Sequence, residues 1–124
     1  MIYGIGADIT SVARFKHILS KYGDKFAGKI LSNSELNEYQ KKINKANFLA
    51  KRFAAKEAFG KAIGTGISGF WFTDLTITHD SLGKPEFLLS NNCLEIKKNL
   101  KIAKFYLTIT DDKNNAVAFV IAEC

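Results

Sequence analysis

The chain has little of what usually staples, kinks or anchors a small protein. Its 124 residues include two cysteines, two histidines, one proline and one tryptophan. Cys93 and Cys124 match no disulfide or metal-ligand spacing, so free thiols are expected. No long apolar run is present, and Ile2–Ile9 is too short for a signal-peptide core with a cleavage site. A soluble, cytoplasmic protein with no membrane partner is the expectation. No repeat, linker or low-complexity segment interrupts the chain, which suits a single domain over 1–124. A P-loop and the kinase motifs are missing, which disfavours ordinary nucleotide kinases. The glycine pair at Gly4 and Gly6 lacks the third glycine and following helix of a dinucleotide fingerprint. No RNA-recognition motif appears, so nucleic acid is not expected as a partner.

What is present is globular in character. Hydrophobic residues make up 47% of the chain and the formal net charge is +6. A basic surface favours an acidic partner or a polyanionic ligand. The order of elements is strand, helices, then mostly strands, which predicts an α+β fold with antiparallel sheet.

Ala50 to Gly66 (AKRFAAKEAFGKAIGTG) dominates the pattern. Its alanines favour a long helix, starting between Ala46 and Phe48 and ending at Ile63. Gly64 then provides a residue able to take positive φ. Glu57 and Lys61 are four apart and share a face. Glu57 falls between Leu49 and Phe53 on one side and Ala54 and Ala58 on the other, which is unusual for a surface carboxylate. Two readings stand: an ordinary ion pair between Glu57 and Lys61, or a carboxylate and a lysine at a cleft edge, holding a metal and a phosphate.

Ile2 to Thr10 predicts a first strand. Tyr3, Ile5, Ala7 and Ile9 are assigned to the core, and Ile2, Gly4, Gly6 and Asp8 to the opposite face. Glycine and aspartate are depleted in strands. Their presence here means either that a ligand approaches bare backbone beside Asp8, or that Asp8 caps the strand end. Ser11 to Lys21 predicts a helix capped by Ser11, with His17 at the surface. Lys25 to Leu31 is read as a connection burying Phe26 and Ile30. Ser32 and Glu35 form a capping box for a helix with the stripe Leu36, Tyr39 and Ile43. The basic cluster Lys41, Lys42 and Lys45 reads as a solvated turn. Phe72–His79 and Glu86–Leu89 predict a hairpin joined by DSLGKP. A helix over Asn91–Ile102 follows, with Leu94, Ile96 and Leu100 inward. Strands at Lys104–Thr110 and Ala116–Ala122 close the chain.

Asp8 and Glu57 are the acids that stand out. With lysines nearby they suit Mg²⁺ bound together with a phosphorylated ligand, because Mg²⁺ keeps waters and takes one or two protein carboxylates.

Four segments then acquire a joint meaning: IYGIGADITSVARF, KILSNSELNEY, FLAKRFAAKEAFGKAIGTGI and LGKP, in that order. Together they resemble the small bacterial 4′-phosphopantetheinyl transferases, the holo-[acyl-carrier-protein] synthases, over nearly the whole chain. The resemblance implies the α+β fold of that family, an antiparallel sheet wrapped around a long helix, and a homotrimer with sites between subunits. It implies Mg²⁺-dependent transfer of 4′-phosphopantetheine from coenzyme A to a serine of apo acyl carrier protein, releasing adenosine 3′,5′-bisphosphate. On that resemblance Asp8 and Glu57 are metal ligands, and Lys61 meets the pyrophosphate and assists transfer. Arg14 meets the acidic helix of the carrier protein. Lys84 and Pro85 lie near the adenine nucleotide, Gly64 and Gly66 form a turn beside the ligand, and Arg52 contacts the 3′-phosphate.

The chain departs from the family at one strand. Where the family reads close to His-Val-Ser-Ile-Ser-His, this sequence has Tyr106-Leu107-Thr108-Ile109-Thr110-Asp111. Tyrosine is a poor base at neutral pH and Asp111 is expected to bond its own turn, so neither is assigned the proton. The base is left between Glu57 and a metal-adjacent water. Two other readings compete: a small basic module binding RNA or an acidic protein without chemistry, and an inactive relative of the family. Retention of Asp8, Glu57 and Lys61 argues against the second.

Overall fold

The structure is a computed structural model and describes residues 1–124. Strand β1 (Ile2–Ser11) leads into helices α1 (Val12–Tyr22), α2 (Asp24–Ile30), α3 (Asn33–Gln40) and α4 (Lys45–Ile63). A short 3₁₀ turn at Phe72–Asp74 precedes the hairpin β2 (Leu75–His79) and β3 (Pro85–Leu89). Helix α5 (Asn91–Asn99), β4 (Lys104–Asp111) and β5 (Asn115–Glu123) complete the chain. The architecture is α+β and both sheets are antiparallel: a three-stranded sheet in the order β1-β5-β4, and the β2–β3 ribbon. No helix is long and apolar enough to cross a membrane.

Local chemistry accounts for most boundaries. Ser11 Oγ accepts the Arg14 amide at 3.2 Å and starts α1. Asn44 Oδ1 accepts the Asn47 amide at 3.0 Å and starts α4 one residue before the predicted window. Gly64 ends α4 at φ 88°, a left-handed conformation costly for residues with a Cβ. Lys25 to Leu31 is not a connection: α2 spans most of it, buries Ala27 and Ile30, and places Phe26 against Phe15. The stripe of α3 stops at Tyr39, because the helix ends at Gln40 and Ile43 is fully exposed. In α5 the buried residue is Cys93, whereas Leu94 is exposed.

Two apolar clusters flank α4. One gathers Phe59 against Phe70, Phe87 and Phe105, with ring centroids 5.3, 5.2 and 4.7 Å away. The other packs α1, α2 and α3 around Phe15, Tyr39 and Leu49. Between them runs a buried ionic network. Glu35 and Lys56 are both 0% exposed, with Oε1 and Nζ 2.6 Å apart. Lys56 also donates to the Ile30 carbonyl at 2.6 Å. Glu35 Oε2 accepts from Arg52 Nη1 at 3.1 Å and from the Ile77 amide at 3.0 Å. Burial alone would raise the Glu35 carboxyl, but Lys56 and the Ile77 and Ser32 amides carry it below its ordinary value. Glu35 thus ties α3, α4 and β2 together, and Lys56 adds α2. The Ser32 amide does donate to Glu35 Oε1, as a capping box requires, yet that is the smaller part of what Glu35 does.

The faces of β1 are the reverse of the expected ones. Tyr3, Ile5 and Ile9 lie on the open face of the sheet, Ile5 and Ile9 at 59% and 66% exposure. The glycine face meets α4. A Cβ at Gly4 would sit 2.1 Å from the Ala62 carbonyl oxygen, and one at Gly6 2.1 Å from that of Ala58. The bare backbone accommodates a helix, not a ligand.

Candidate active site

That close crossing positions the chemistry. Asp8 follows Gly6 on the same face of β1, and Lys61 and Glu57 sit on the adjoining face of α4. Lys61 Nζ donates to the Ala7 carbonyl at 2.8 Å and lies 3.3 Å from Asp8 Oδ1. The ordinary Glu57–Lys61 ion pair is therefore not what forms; Lys61 crosses to the strand. Asp8 does not cap the strand either. Its Oδ2 is buried without a hydrogen-bond partner.

Electrostatics show the two acids to be close. Burial pushes the Asp8 carboxyl up, against the pull of Lys61 and Arg14. Burial also pushes Glu57 up, and the Asp8 charge adds to it, while Lys61 and Arg14 oppose. Two partly buried carboxylates whose proton affinities are both raised, one with an orphaned oxygen, form a site that favours added positive charge. No group of three or more His, Cys, Asp or Glu side chains comes together anywhere. A cation here would have two protein carboxylates and complete its shell with water or ligand oxygens, which is the habit of Mg²⁺.

Arg14 stands at the same site. Its guanidinium carbon lies 5.6 Å from the ring centroids of both Phe15 and Phe53. Phe53 is one helical turn before Glu57. Gly64 caps α4, and the Gly66 amide donates to the Gly60 carbonyl at 3.0 Å, which folds the following loop back on the helix.

The remaining sequence-predicted residues gather elsewhere. Arg52 is 5% exposed, and its Nη1 donates to Glu35 and to the Ile77 carbonyl, the latter at 2.7 Å. Arg52 also lines a cavity of about 340 Å³, as does Pro85. Lys84 belongs to the adjoining hairpin turn, where its amide donates to Asp80 Oδ1 at 2.9 Å. None of Asp8, Glu57 and Lys61 lines this cavity. Sequence reasoning missed Lys51, Lys42 and His79, which also line it. The cluster around Lys42, read as a solvated turn, was the available signal. It missed Lys56 too, although a lysine set among Ala54, Ala55 and Ala58 was a hint. Asp111 does not bond its own turn; Asn47 Nδ2 donates to it at 2.9 Å, and Asp112 does the turn bonding. Tyr106 donates to Glu123 at 3.1 Å.

Comparison with known proteins places the chain in a family. The family model described as the 4′-phosphopantetheinyl transferase superfamily matches residues 4–120. A holo-[acyl-carrier-protein] synthase of Aliivibrio fischeri is 50% identical over 123 residues, 98% of each chain. The crystal structure of the synthase from Neisseria meningitidis superposes with a TM-score of 0.95 at 45% identity, covering 100% of both chains. The Helicobacter pylori synthase in complex with coenzyme A gives a TM-score of 0.84 at 31% identity, covering 96% of this chain and 99% of that one. With the family model spanning nearly all of the chain, this protein belongs to the 4′-phosphopantetheinyl transferase superfamily.

Proposed function

We propose that this enzyme transfers 4′-phosphopantetheine from coenzyme A to a serine hydroxyl of apo acyl carrier protein and releases adenosine 3′,5′-bisphosphate, in fatty acid biosynthesis. The observation that carries the reading is the meeting of Asp8, Glu57 and Lys61 where β1 crosses α4. Asp8 and Glu57 would hold Mg²⁺, which supplies charge neutralisation at the pyrophosphate. Lys61, anchored on the Ala7 carbonyl, directs its ammonium toward the same place and offsets charge on the departing phosphate. Glu57, with its proton affinity raised by burial, is suited to take the serine proton. The serine oxygen bonds to the phosphorus bearing the pantetheine arm as the bond from that phosphorus to the bridging oxygen breaks. Arg14 adds a cation at the rim for an acidic carrier helix.

The nucleotide end of coenzyme A is assigned to the cavity at Arg52 and Pro85. That cavity and the carboxylate pair share no residue, which is the arrangement expected if neighbouring subunits complete each site. A homotrimer provides this, and the open face of the three-stranded sheet supports it. Tyr3, Ile5, Ile9 and Phe119 are exposed there and unsuited to water. A cytoplasmic location goes with the reading and with two unpaired cysteines.

Incubation with apo carrier protein, coenzyme A and Mg²⁺, followed by mass spectrometry of the carrier, tests the reading. A gain of the phosphopantetheine mass is expected; an unmodified carrier refutes it. Sedimentation is expected to give a trimer, and an active monomer refutes the shared site.

A further inference from the structure

The cavity beside Arg52 holds charge of both signs. Lys42, Lys51, Arg52 and His79 line it, and so do Glu38 and Asp111. Arg52 is fixed. Its Nη1 is bound inside by the Glu35 carboxylate and the Ile77 carbonyl, and the side chain is 5% exposed. Its Nη2 takes no part in those bonds, and Glu38 Oε2 lies 3.4 Å from it. Glu38 is not fixed. Its side chain is 47% exposed, and this long contact is its only ion pair. Lys51 is in a similar position, 4.0 Å from Asp111 Oδ1. A buried, internally bonded cation is thus met by a half-exposed carboxylate with one long contact, and both line the same cavity.

We propose that Glu38 is an internal counter-anion that competes with a ligand phosphate for Arg52, and so sets how tightly the cavity holds a phosphorylated nucleotide. This rests on the coenzyme A reading, in which the cavity takes the nucleotide end. A phosphate monoester carries up to about two negative charges and three strong acceptor oxygens, against one charge on Glu38. It displaces Glu38 from Nη2, and the freed carboxylate swings into water. The cost of that exchange falls on any ligand presenting the phosphate. It therefore weakens coenzyme A and the released adenosine 3′,5′-bisphosphate alike, and it favours departure of the product once transfer is done. A nucleotide lacking the 3′-phosphate leaves Glu38 where it is.

Isothermal titration of the intact protein with adenosine 3′,5′-bisphosphate and with adenosine 5′-monophosphate tests this, using Glu38→Gln and Lys42→Gln. Removing one unit charge some 5 Å from the bound phosphate is expected to tighten the bisphosphate about four-fold in Glu38→Gln. The monophosphate should change less than two-fold, and the difference should shrink at high salt. Bisphosphate binding that is unchanged or weaker in Glu38→Gln, while Lys42→Gln weakens it, overturns the role of Glu38 and leaves the coenzyme A assignment standing. If the parent protein does not prefer the bisphosphate and Lys42→Gln changes nothing, the nucleotide lies elsewhere and both fall.

Discussion

Replacing Gly6 with alanine tests how the site is held. The added Cβ would lie 2.1 Å from the Ala58 carbonyl oxygen, 2.7 Å from the Ala62 nitrogen and 2.9 Å from Lys61 Cβ. A carbon needs about 3.3 Å from an oxygen. Strand and helix must therefore part by about 1 Å, because two of the three obstructing atoms are backbone and cannot rotate away. Overpacking of this kind costs 1–3 kcal/mol, and with backbone on both sides we expect about 3. For a chain of this length that is a fall in Tm of roughly 10 °C. The same 1 Å takes Lys61 Nζ beyond hydrogen-bond range of the Ala7 carbonyl, from its present 2.8 Å. It also widens the gap between Asp8 and Glu57, and a displacement of that size can cost about 10²-fold in rate. The assay is thermal melting together with kcat at saturating coenzyme A, Mg²⁺ and carrier, well below the lowered Tm. Gly28→Ala is the control, since nothing lies within 4 Å of a Cβ there and the helix position favours alanine. A Gly6→Ala enzyme with parental Tm and kcat would refute the close crossing as the determinant of the site.

Mg²⁺ should raise the Tm of the parent and not that of Asp8→Asn, which should melt no lower in the absence of metal because it removes a partly buried carboxylate whose charge repels that of Glu57; calorimetry with and without Mg²⁺ reads both. Arg14→Glu should raise KM for the acidic carrier and leave that for coenzyme A nearly unchanged, and equal damage to both would move Arg14 into the nucleotide site. Glu35 has a folded pKa below its ordinary 4.5, so its stabilisation is complete above about pH 4.5 and is lost as pH falls through the folded value. Urea midpoints between pH 3 and 6 should show that loss in the parent, whereas Glu35→Gln should be weaker by about 3–5 kcal/mol at pH 7 and flatter with pH. Tyr106→Phe should stay within a few-fold of parental kcat and Glu57→Gln should be far slower; equal loss in both would mean that β4 carries an essential catalytic group.

Residues whose meaning is local were legible in the sequence. Ser11 as a cap, Gly64 as a stop and the LGKP turn each depend on atoms within a few positions. The long helix and the shared face of Glu57 and Lys61 were legible for the same reason: propensity and face are local properties. What failed was the assignment of faces in β1. Tyr3, Ile5 and Ile9 have core composition, and only the helix backbone against Gly4 and Gly6 shows that the other face is the buried one. Helix α2 was missed because seven residues interrupted by Gly28 carry too little periodicity. Arg52 and Glu35 were under-read because their partners lie 14 to 42 positions away. No local signal marks a buried carboxylate with two cations.

The pairing of β1 with β5 bears on the order in which the site comes into being. Asp8 lies opposite Ala118, and Ile2 opposite Glu123. The strand that carries the first of the two carboxylates is synthesised before any helix, yet its only sheet partner is the last element made. During synthesis α4 can form and receive the glycine face of β1 before β5 exists, but β1 then lacks its strand partner. The sheet that fixes Asp8 beside Glu57 and Lys61 closes only when β5 arrives, across more than a hundred residues, and contacts of that separation are slow to form. A nascent chain that has not yet completed β5 therefore carries Asp8 on a strand without its ladder, however much of its helical half is already folded.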